Sequence, residues 1–196
     1  AVDEEDTSPL RVRSGATVLG LTGDPTTDRT LPNINDAKAQ LGKKLFFTKG
    51  LGGNKDTACA SCHHPSLGGS DKLSLSIGVN AEIAELLGPG RTHSEALAIA
   101  DSNSLYDGGP TVPRNSPTTF NVGLWDQVLF HDGRIESIGK TPNLNGNDGL
   151  GIVTPDSETD DNGDLQADPN AGDNLPTEQS RFPVTSPEQM RGHTFE

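Results

Sequence analysis

Five consecutive residues, Cys59-Ala60-Ser61-Cys62-His63, constrain this chain more than any other feature. Two thiols lie about one helical turn apart, and an imidazole follows directly. C-x-x-C-H is the attachment signature of c-type haem, because the thiols reach the two vinyl groups of one porphyrin and the histidine then lies beneath the iron. The motif predicts one covalently bound haem c, held by Cys59 and Cys62, with His63 as the iron ligand.

Three other uses of the motif compete with haem. A zinc site normally has four protein ligands, and the sequence has no second cysteine pair, although His64 and His93 are available to complete a set. A thioredoxin-type redox disulfide requires the motif to open a helix after a strand, a pattern that is missing here. A structural disulfide would not require His63. Haem is the preferred interpretation, with these alternatives open.

The composition indicates a small apolar core. Only 31% of the 196 residues are hydrophobic, and 23 glycines and 14 prolines interrupt any long run of helices or regular sheet. A haem would add the apolar surface that the side chains lack. Together with the C-x-x-C-H motif, such a small core fits a mainly α, cytochrome c-like domain with long irregular loops, which is the predicted fold class.

The net charge of −13 excludes some functions and favours others. Nucleic-acid recognition needs clustered lysines and arginines, so no nucleic-acid partner is expected. The acidity fits a cationic protein partner, or the solubility of a secreted protein. No run of 18 apolar residues exists, so no transmembrane segment is predicted, and the acidic start at Ala1 is expected of a processed chain.

The pattern of residues divides the chain into four parts. Helical spacing predicts a first helix from Ile34 to Phe47, and short helices from Ala81 to Leu87 and from His93 to Ala100. The tract 143–174 is dense in Asp, Asn and Gly, and is expected to form a surface loop that buries no core. The predicted organisation is an extended N-terminal arm (1–33), a haem domain (34–142 and 175–196) and an acidic loop insertion (143–174).

Several sequence blocks recur in the order known from one protein family. They are Leu41-Gly42-Lys43-Lys44-Leu45-Phe46-Phe47, Cys59 to His63, Leu67-Gly68-Gly69-Ser70-Asp71, Arg114-Asn115-Ser116-Pro117-Thr118, Phe130-His131-Asp132-Gly133-Arg134 and Pro183 to Met190. Together they resemble the bacterial di-haem cytochrome c peroxidase family, which includes the maturation enzyme of methylamine dehydrogenase. The resemblance covers residues 34–196 and only the amino-terminal haem domain, since the second C-x-x-C-H of the family is absent.

The resemblance implies that hydrogen peroxide meets this haem. A second haem-bearing domain or fragment would pass it electrons from a small donor protein, a cytochrome c or a cupredoxin. The family's coupling aromatic residue, usually Trp, is replaced by His131, and Trp125 is a possible substitute. Val79 stands where many members place a distal histidine, so the iron is expected to be open, or closed by His93 or Met190.

In the block from Pro183 to Met190, called the Pro-Val block below, the family places an acid–base carboxylate directly before a methionine. This chain has Gln189 there, followed by Met190. Glutamine cannot carry a proton between the peroxide oxygens, whereas the adjacent Glu188 can. Glu188 and Gln189 are therefore the candidate catalytic residues, together with His131. Arg114 and Arg134 are candidates to pair with the haem propionates, because a guanidinium presents parallel donors to a carboxylate.

The acidic tract contains a candidate calcium loop. Oxygen-bearing side chains alternate around Gly163, at Glu158, Asp160, Asn162 and Asp164, which resembles half of an EF-hand. The twelfth-position glutamate is missing, so a solvated acidic loop is the alternative.

The sequence therefore predicts an oxidoreductase that reduces hydrogen peroxide in the periplasm, or at the cell exterior. The alternatives are an electron-transfer cytochrome c module without peroxidase activity, and oxidation of a protein or organic partner by a ferryl species.

Overall fold

The computed structural model describes residues 8–20, 24, 26, 31–88, 90–101, 106–125, 127–139, 150–172 and 174–192. Within them it has helices α1 (Pro9–Val18), α2 (Ala37–Phe47), α3 (Cys59–Cys62), α4 (Glu95–Ala100), α5 (Leu175–Gln179) and α6 (Arg181–Thr185). Short 3-10 segments lie at Lys49–Leu51, Pro65–Leu67 and Val122–Leu124. Three strands follow one another: β1 (Val128–Leu129), β2 (Ile135–Ser137) and β3 (Ile152–Val153).

The strands form an antiparallel sheet in the order β1-β2-β3, which the sequence analysis did not predict. Leu129 lies opposite Ile135, and Ser137 lies opposite Ile152. The hairpin between β1 and β2 is the Phe130 to Arg134 block, in which Gly133 has a φ of +71°. Asp-Gly is a strong hairpin signal, so this turn was readable from the sequence. The mainly helical class is thus confirmed only in part.

An apolar core lies between the sheet and the C-terminal helices. Its buried members are Leu129, Ile135, Ile152 and Leu175, and Phe182 packs against them. Ile152 belongs to the acidic tract that was expected to form a surface loop, so this expectation is wrong at β3. Residues 143–149 of the tract lie outside the described residues.

The helix predictions have three outcomes. The helix predicted from Ile34 to Phe47 is confirmed as α2. The helix predicted from His93 to Ala100 begins at Glu95, because the Ser94 hydroxyl accepts a hydrogen bond from the Leu97 N–H and caps the first turn of α4. The helix predicted over residues 81–87 is wrong, since this segment forms turns and bends. Its carbonyls at Ala84 and Leu86 accept hydrogen bonds from a guanidinium instead of from helical N–H groups.

The N-terminal arm also differs from its prediction. Residues Pro9 to Val18 form α1, which buries no side chain and starts at a Ser8 cap, so the expected extended conformation is wrong there. The division of the chain into arm, haem domain and insertion stays a prediction. In the described part of the chain, no helix has the length and apolar character needed to cross a bilayer.

Candidate functional site

The C-x-x-C-H motif forms the short helix α3. The Ser61 hydroxyl accepts a hydrogen bond from the Ala58 N–H at 3.0 Å, which starts the turn, and the His63 N–H donates to the Cys59 carbonyl at 2.9 Å, which ends it. The two cysteines do not form a disulfide with each other. The helix therefore holds two sulfurs one turn apart with an imidazole directly after them.

The His63 ring is oriented by two carbonyl groups. Its Nδ1 lies 3.1 Å from the Gly69 oxygen and 3.0 Å from the Pro117 oxygen. A ring nitrogen facing two acceptors carries the proton, which leaves the Nε2 lone pair for a metal. Gly69 and Pro117 belong to two of the blocks that carry the family resemblance. The geometry fits a histidine that binds haem iron through Nε2.

The two thiols lie in a poorly solvated environment. Burial and the nearby Asp71 carboxylate raise the pKa of Cys62 to about 12, with Arg91 acting in the opposite direction. Burial also raises the pKa of Cys59. Zinc binds thiolates, whereas a thioether needs no charge on sulfur. Desolvation thus disfavours a charge on either sulfur, and the thioether sulfurs of an attached haem c carry none.

A buried arginine that the sequence analysis missed lies next to the thiols. Arg91 is 2% exposed, and its guanidinium donates to the carbonyls of Asp56, Ile77 and Gly78, at 2.8, 2.9 and 2.9 Å. The Ile77 carbonyl also lies 3.7 Å from Cys62 Sγ. No motif marks this arginine, because its partners are backbone carbonyls and one hydroxyl.

The Ser76–Val79 stretch packs tightly between the haem motif and the Pro-Val block. The Thr57 hydroxyl donates to the Gly78 carbonyl at 2.8 Å, and the Val79 N–H donates to the Glu188 carbonyl at 3.4 Å. A Cβ at Gly78 would lie 2.2 Å from the Glu188 oxygen, so only glycine permits this approach. Three blocks distant in sequence thus meet around the attachment helix.

Glu188 borders an open cleft of about 460 Å³, a size that accommodates a small ligand. The other residues that line it are Leu75, Asp107, Pro110, Thr111, Val112 and Pro113. Gln189 is half-buried, and its side-chain amide makes no hydrogen bond to the described residues. Of the neighbours Glu188 and Gln189, Glu188 is therefore the one that lines this cleft.

The candidates for the distal side of the iron differ in their surroundings. Val79 is 1% exposed and has no ligating atom. Met190 is 3% exposed, and its carbonyl accepts a hydrogen bond from the Gly53 N–H at 2.9 Å. The His93 ring stacks on Tyr106 at 5.7 Å, and its buried Nε2 has no hydrogen-bond partner in the described residues. Burial lowers the pKa of His93.

The two candidate propionate-binding arginines meet at one carboxylate. Asp132 lies 3.0 Å from Arg134 and 3.7 Å from Arg114, and the Arg134 guanidinium also lies 3.9 Å from the centre of the Phe130 ring. His131 is exposed and makes no polar contact with the described residues. A haem propionate would compete with Asp132 for both arginines, and their pairing with haem stays a prediction. The coupling role of His131 also stays a prediction.

The candidate calcium loop is an exposed hairpin. Asp160 Oδ1 accepts hydrogen bonds from the N–H groups of Asn162 and Asp164, both at 2.9 Å, and Glu158 accepts one through its backbone carbonyl. Within the described ranges, no three His, Cys, Asp or Glu side chains are arranged to hold a metal ion. Calcium at this loop stays a prediction.

Relatives of this chain are haem peroxidases and related proteins. It is 29% identical over 107 residues to the cytochrome c551 peroxidase of Pseudomonas aeruginosa, which covers 55% of this chain and 22% of the relative. It is 30% identical over 105 residues to the methylamine utilization protein MauG of Methylorubrum extorquens, covering 54% and 22%. A cytochrome-c peroxidase, IdrP2, of Pseudomonas sp. strain SCT is 48% identical over 44 residues, covering 22% and 12%.

The match to one family extends over most of the chain. The family model described as di-haem cytochrome c peroxidase matches residues 36–196, and its name implies haem c as the cofactor. The chain spans about a fifth of the length of the first two relatives. No solved structure is significantly similar to it. The matched range contains all the blocks on which the sequence resemblance depends, and the chain belongs to the di-haem cytochrome c peroxidase family.

Proposed function

We propose that this chain is the peroxide-reducing haem domain of a di-haem cytochrome c peroxidase, with its haem attached through Cys59 and Cys62 and its iron bound by His63. The observation that carries the proposal is the pair of carbonyl contacts at His63 Nδ1, from Gly69 and Pro117. They fix the tautomer that a haem iron requires. The poorly solvated positions of the two sulfurs suit uncharged thioethers and support the same assignment.

The bound haem would supply the metal that binds peroxide and exchanges electrons. Conversion of one hydrogen peroxide to two waters consumes two electrons and two protons. The electrons would come from a small cytochrome c or cupredoxin, by way of a second haem-bearing domain. The net charge of −13 favours a donor with a cationic docking face. This chemistry is expected in the periplasm or at the cell exterior.

Glu188 is the proposed proton carrier. Cleavage of the O–O bond needs a group that takes a proton from one oxygen and returns it to the other, and a carboxylate at a cleft can do so. The neighbouring amide of Gln189 cannot. Asp107 lines the same cleft and provides a matched carboxylate for comparison.

The test is the reaction of the haem-loaded protein with hydrogen peroxide, followed by stopped-flow absorption. We expect Glu188→Gln to slow the spectral change by about 10²–10⁴-fold, the usual contribution of a general acid–base group. Asp107→Asn should react at the wild-type rate. Equal rates for wild type and Glu188→Gln would remove Glu188 from the mechanism.

The same sample distinguishes the peroxidase from a plain electron carrier. A five-coordinate, high-spin ferric spectrum that changes on addition of peroxide supports the enzyme. A six-coordinate, low-spin spectrum that is inert to peroxide, in both the ferric and the ferrous protein, would contradict it.

A further inference from the structure

Arg91 connects three segments around the haem motif. Its guanidinium makes six hydrogen bonds, and none of the acceptors is a carboxylate. The acceptors are the carbonyls of Asp56, Ile77, Gly78, Ala84 and Leu86 and the hydroxyl of Thr57. They belong to the segment that leads into α3, to the Ser76–Val79 stretch, and to the turn at residues 84–86.

The contact at Ile77 places this charge beside the attachment site. One carbonyl oxygen lies 2.9 Å from Arg91 Nε and 3.7 Å from Cys62 Sγ. Formation of a thioether would remove the S–H donor of Cys62. The Ile77 carbonyl would then keep Arg91 as its hydrogen-bond donor, so the buried oxygen stays satisfied after haem attachment.

Two carboxylates, one buried and one half-buried, lie in the same region as the buried charge of Arg91. Asp71 is 1% exposed, and its Oδ2 has no hydrogen-bond partner in the described residues. Asp56 is half-buried and accepts hydrogen bonds from the Asn80 N–H at 2.9 Å and from the Thr57 hydroxyl at 3.0 Å. Without Arg91, the haem site would retain two negative charges and no buried cation among these groups.

We propose that Arg91 is a positioning residue of the haem site: it ties the attachment helix to the Ser76–Val79 stretch, and its buried positive charge beside Cys62 raises the reduction potential of the haem. The reason for the sign is electrostatic. Ferric haem carries one more positive charge than ferrous haem, so a nearby cation in a poorly solvated site destabilises the ferric form more. This inference rests on the haem attachment proposed above, but not on peroxidase activity.

The test is the haem reduction potential, measured by spectroelectrochemistry without peroxide at fixed pH and salt. Arg91→Met removes the charge, and Arg91→Lys keeps it but loses the forked donor geometry. Arg11→Met, on the exposed helix α1, makes the same change in net charge far from the motif in sequence. We expect a lower potential for Arg91→Met than for Arg11→Met, and recovery of most of the difference in Arg91→Lys.

Two results would overturn the proposal. One is an Arg91→Met potential equal to that of Arg11→Met, and the other is an Arg91→Lys potential as low as that of Arg91→Met. If Arg91→Met fails to retain haem, the fraction of chains carrying haem becomes the measurement. A yield that falls in Arg91→Met but not in Arg11→Met supports the positioning role, and an equal fall in both variants contradicts it. Failure of the peroxide reaction alone would leave these potentials unaffected.

Discussion

Two arginines, Arg91 (buried) and Arg181 (partly exposed), hold two regions of this molecule in different ways. The haem region consists of α2, α3 and the segments that Arg91 contacts, and the sheet region consists of β1 to β3, α5 and α6. In the haem region, Arg91 binds carbonyls and one hydroxyl, and burial lowers its pKa. In the sheet region, Arg181 lies 2.6 Å from Asp168, 3.2 Å from Glu178 and 3.3 Å from Asp156. Burial acts to lower the pKa of Arg181 as well, but the carboxylates outweigh it and raise that pKa.

The difference extends to the packing around each arginine. The sheet region has its own apolar core, in which Ile135 and Leu175 are fully buried. The haem region buries small side chains such as Ala58 and Ala60, while apolar side chains of α2, including Leu41 at 56% exposure, remain in solvent. The sheet region is thus stabilised by its own side chains, and the haem region by hydrogen bonds to backbone around a site that fits a cofactor.

The largest expected effect is at Arg181. Arg181→Met would leave the buried carboxylates of Asp168 and Glu178 without a counter-charge, and breaking a buried pair in this way costs about 3–5 kcal/mol. Chemical denaturation of the apo-protein measures the loss of unfolding free energy. Arg11→Met is the control. A loss no larger than that of the control would show that Arg181 does not hold the sheet region together.

A smaller loss is expected from the apolar core. Ile152 is 1% exposed, so Ile152→Ala should lower the unfolding free energy by about 2–5 kcal/mol, according to the cavity that remains. Leu165→Ala, in the same tract but 55% exposed, is the matched control. Equal effects at the two positions would mean that β3 does not pack in the core.

Acid should weaken the sheet region through Asp168. Desolvation raises the pKa of this carboxyl, but hydrogen bonds from Thr154, Asn170 and Arg181 outweigh it and hold the pKa below the ordinary 3.8. The folded state therefore binds fewer protons than the unfolded state, and stability falls as the pH drops below about 4. The free energy of unfolding, measured from pH 5 to pH 2, should fall less steeply in Asp168→Asn than in the wild type. Equal slopes in the two proteins would show that Asp168 is not the source of the acid sensitivity.

The smallest effect is expected in the exposed hairpin of the acidic tract. Asp160 accepts two backbone N–H bonds there, and these bonds hold its pKa below the ordinary value. Asp160→Ala should speed hydrogen exchange at the Asn162 and Asp164 amides, with little change in the melting temperature. Unchanged exchange at both amides would show that the carboxylate does not order the turn.

The sequence predicted α2, α4 and the family, because each is a local pattern or a set of short blocks, and haem attachment at the C-x-x-C-H motif stays a prediction. It did not predict the sheet, since β1 and β3 are two residues long and their pairing is set by tertiary contacts. Arg91 and Arg181 were missed for a related reason. Their partners are brought together only by the fold, and a lone arginine in a sequence does not indicate which groups surround it.

Covalent attachment of haem through Cys59 and Cys62 is tested most directly by the intact mass and the pyridine haemochrome spectrum of the purified chain. The control is the double variant Cys59→Ala, Cys62→Ala. We expect the mass of the wild-type chain to exceed that of the polypeptide by one haem, and its spectrum to be that of a haem bound by two thioethers. The double variant should retain none after denaturation. A wild-type chain with the mass of the bare polypeptide, its sulfurs joined to each other or bound to zinc, would contradict the account.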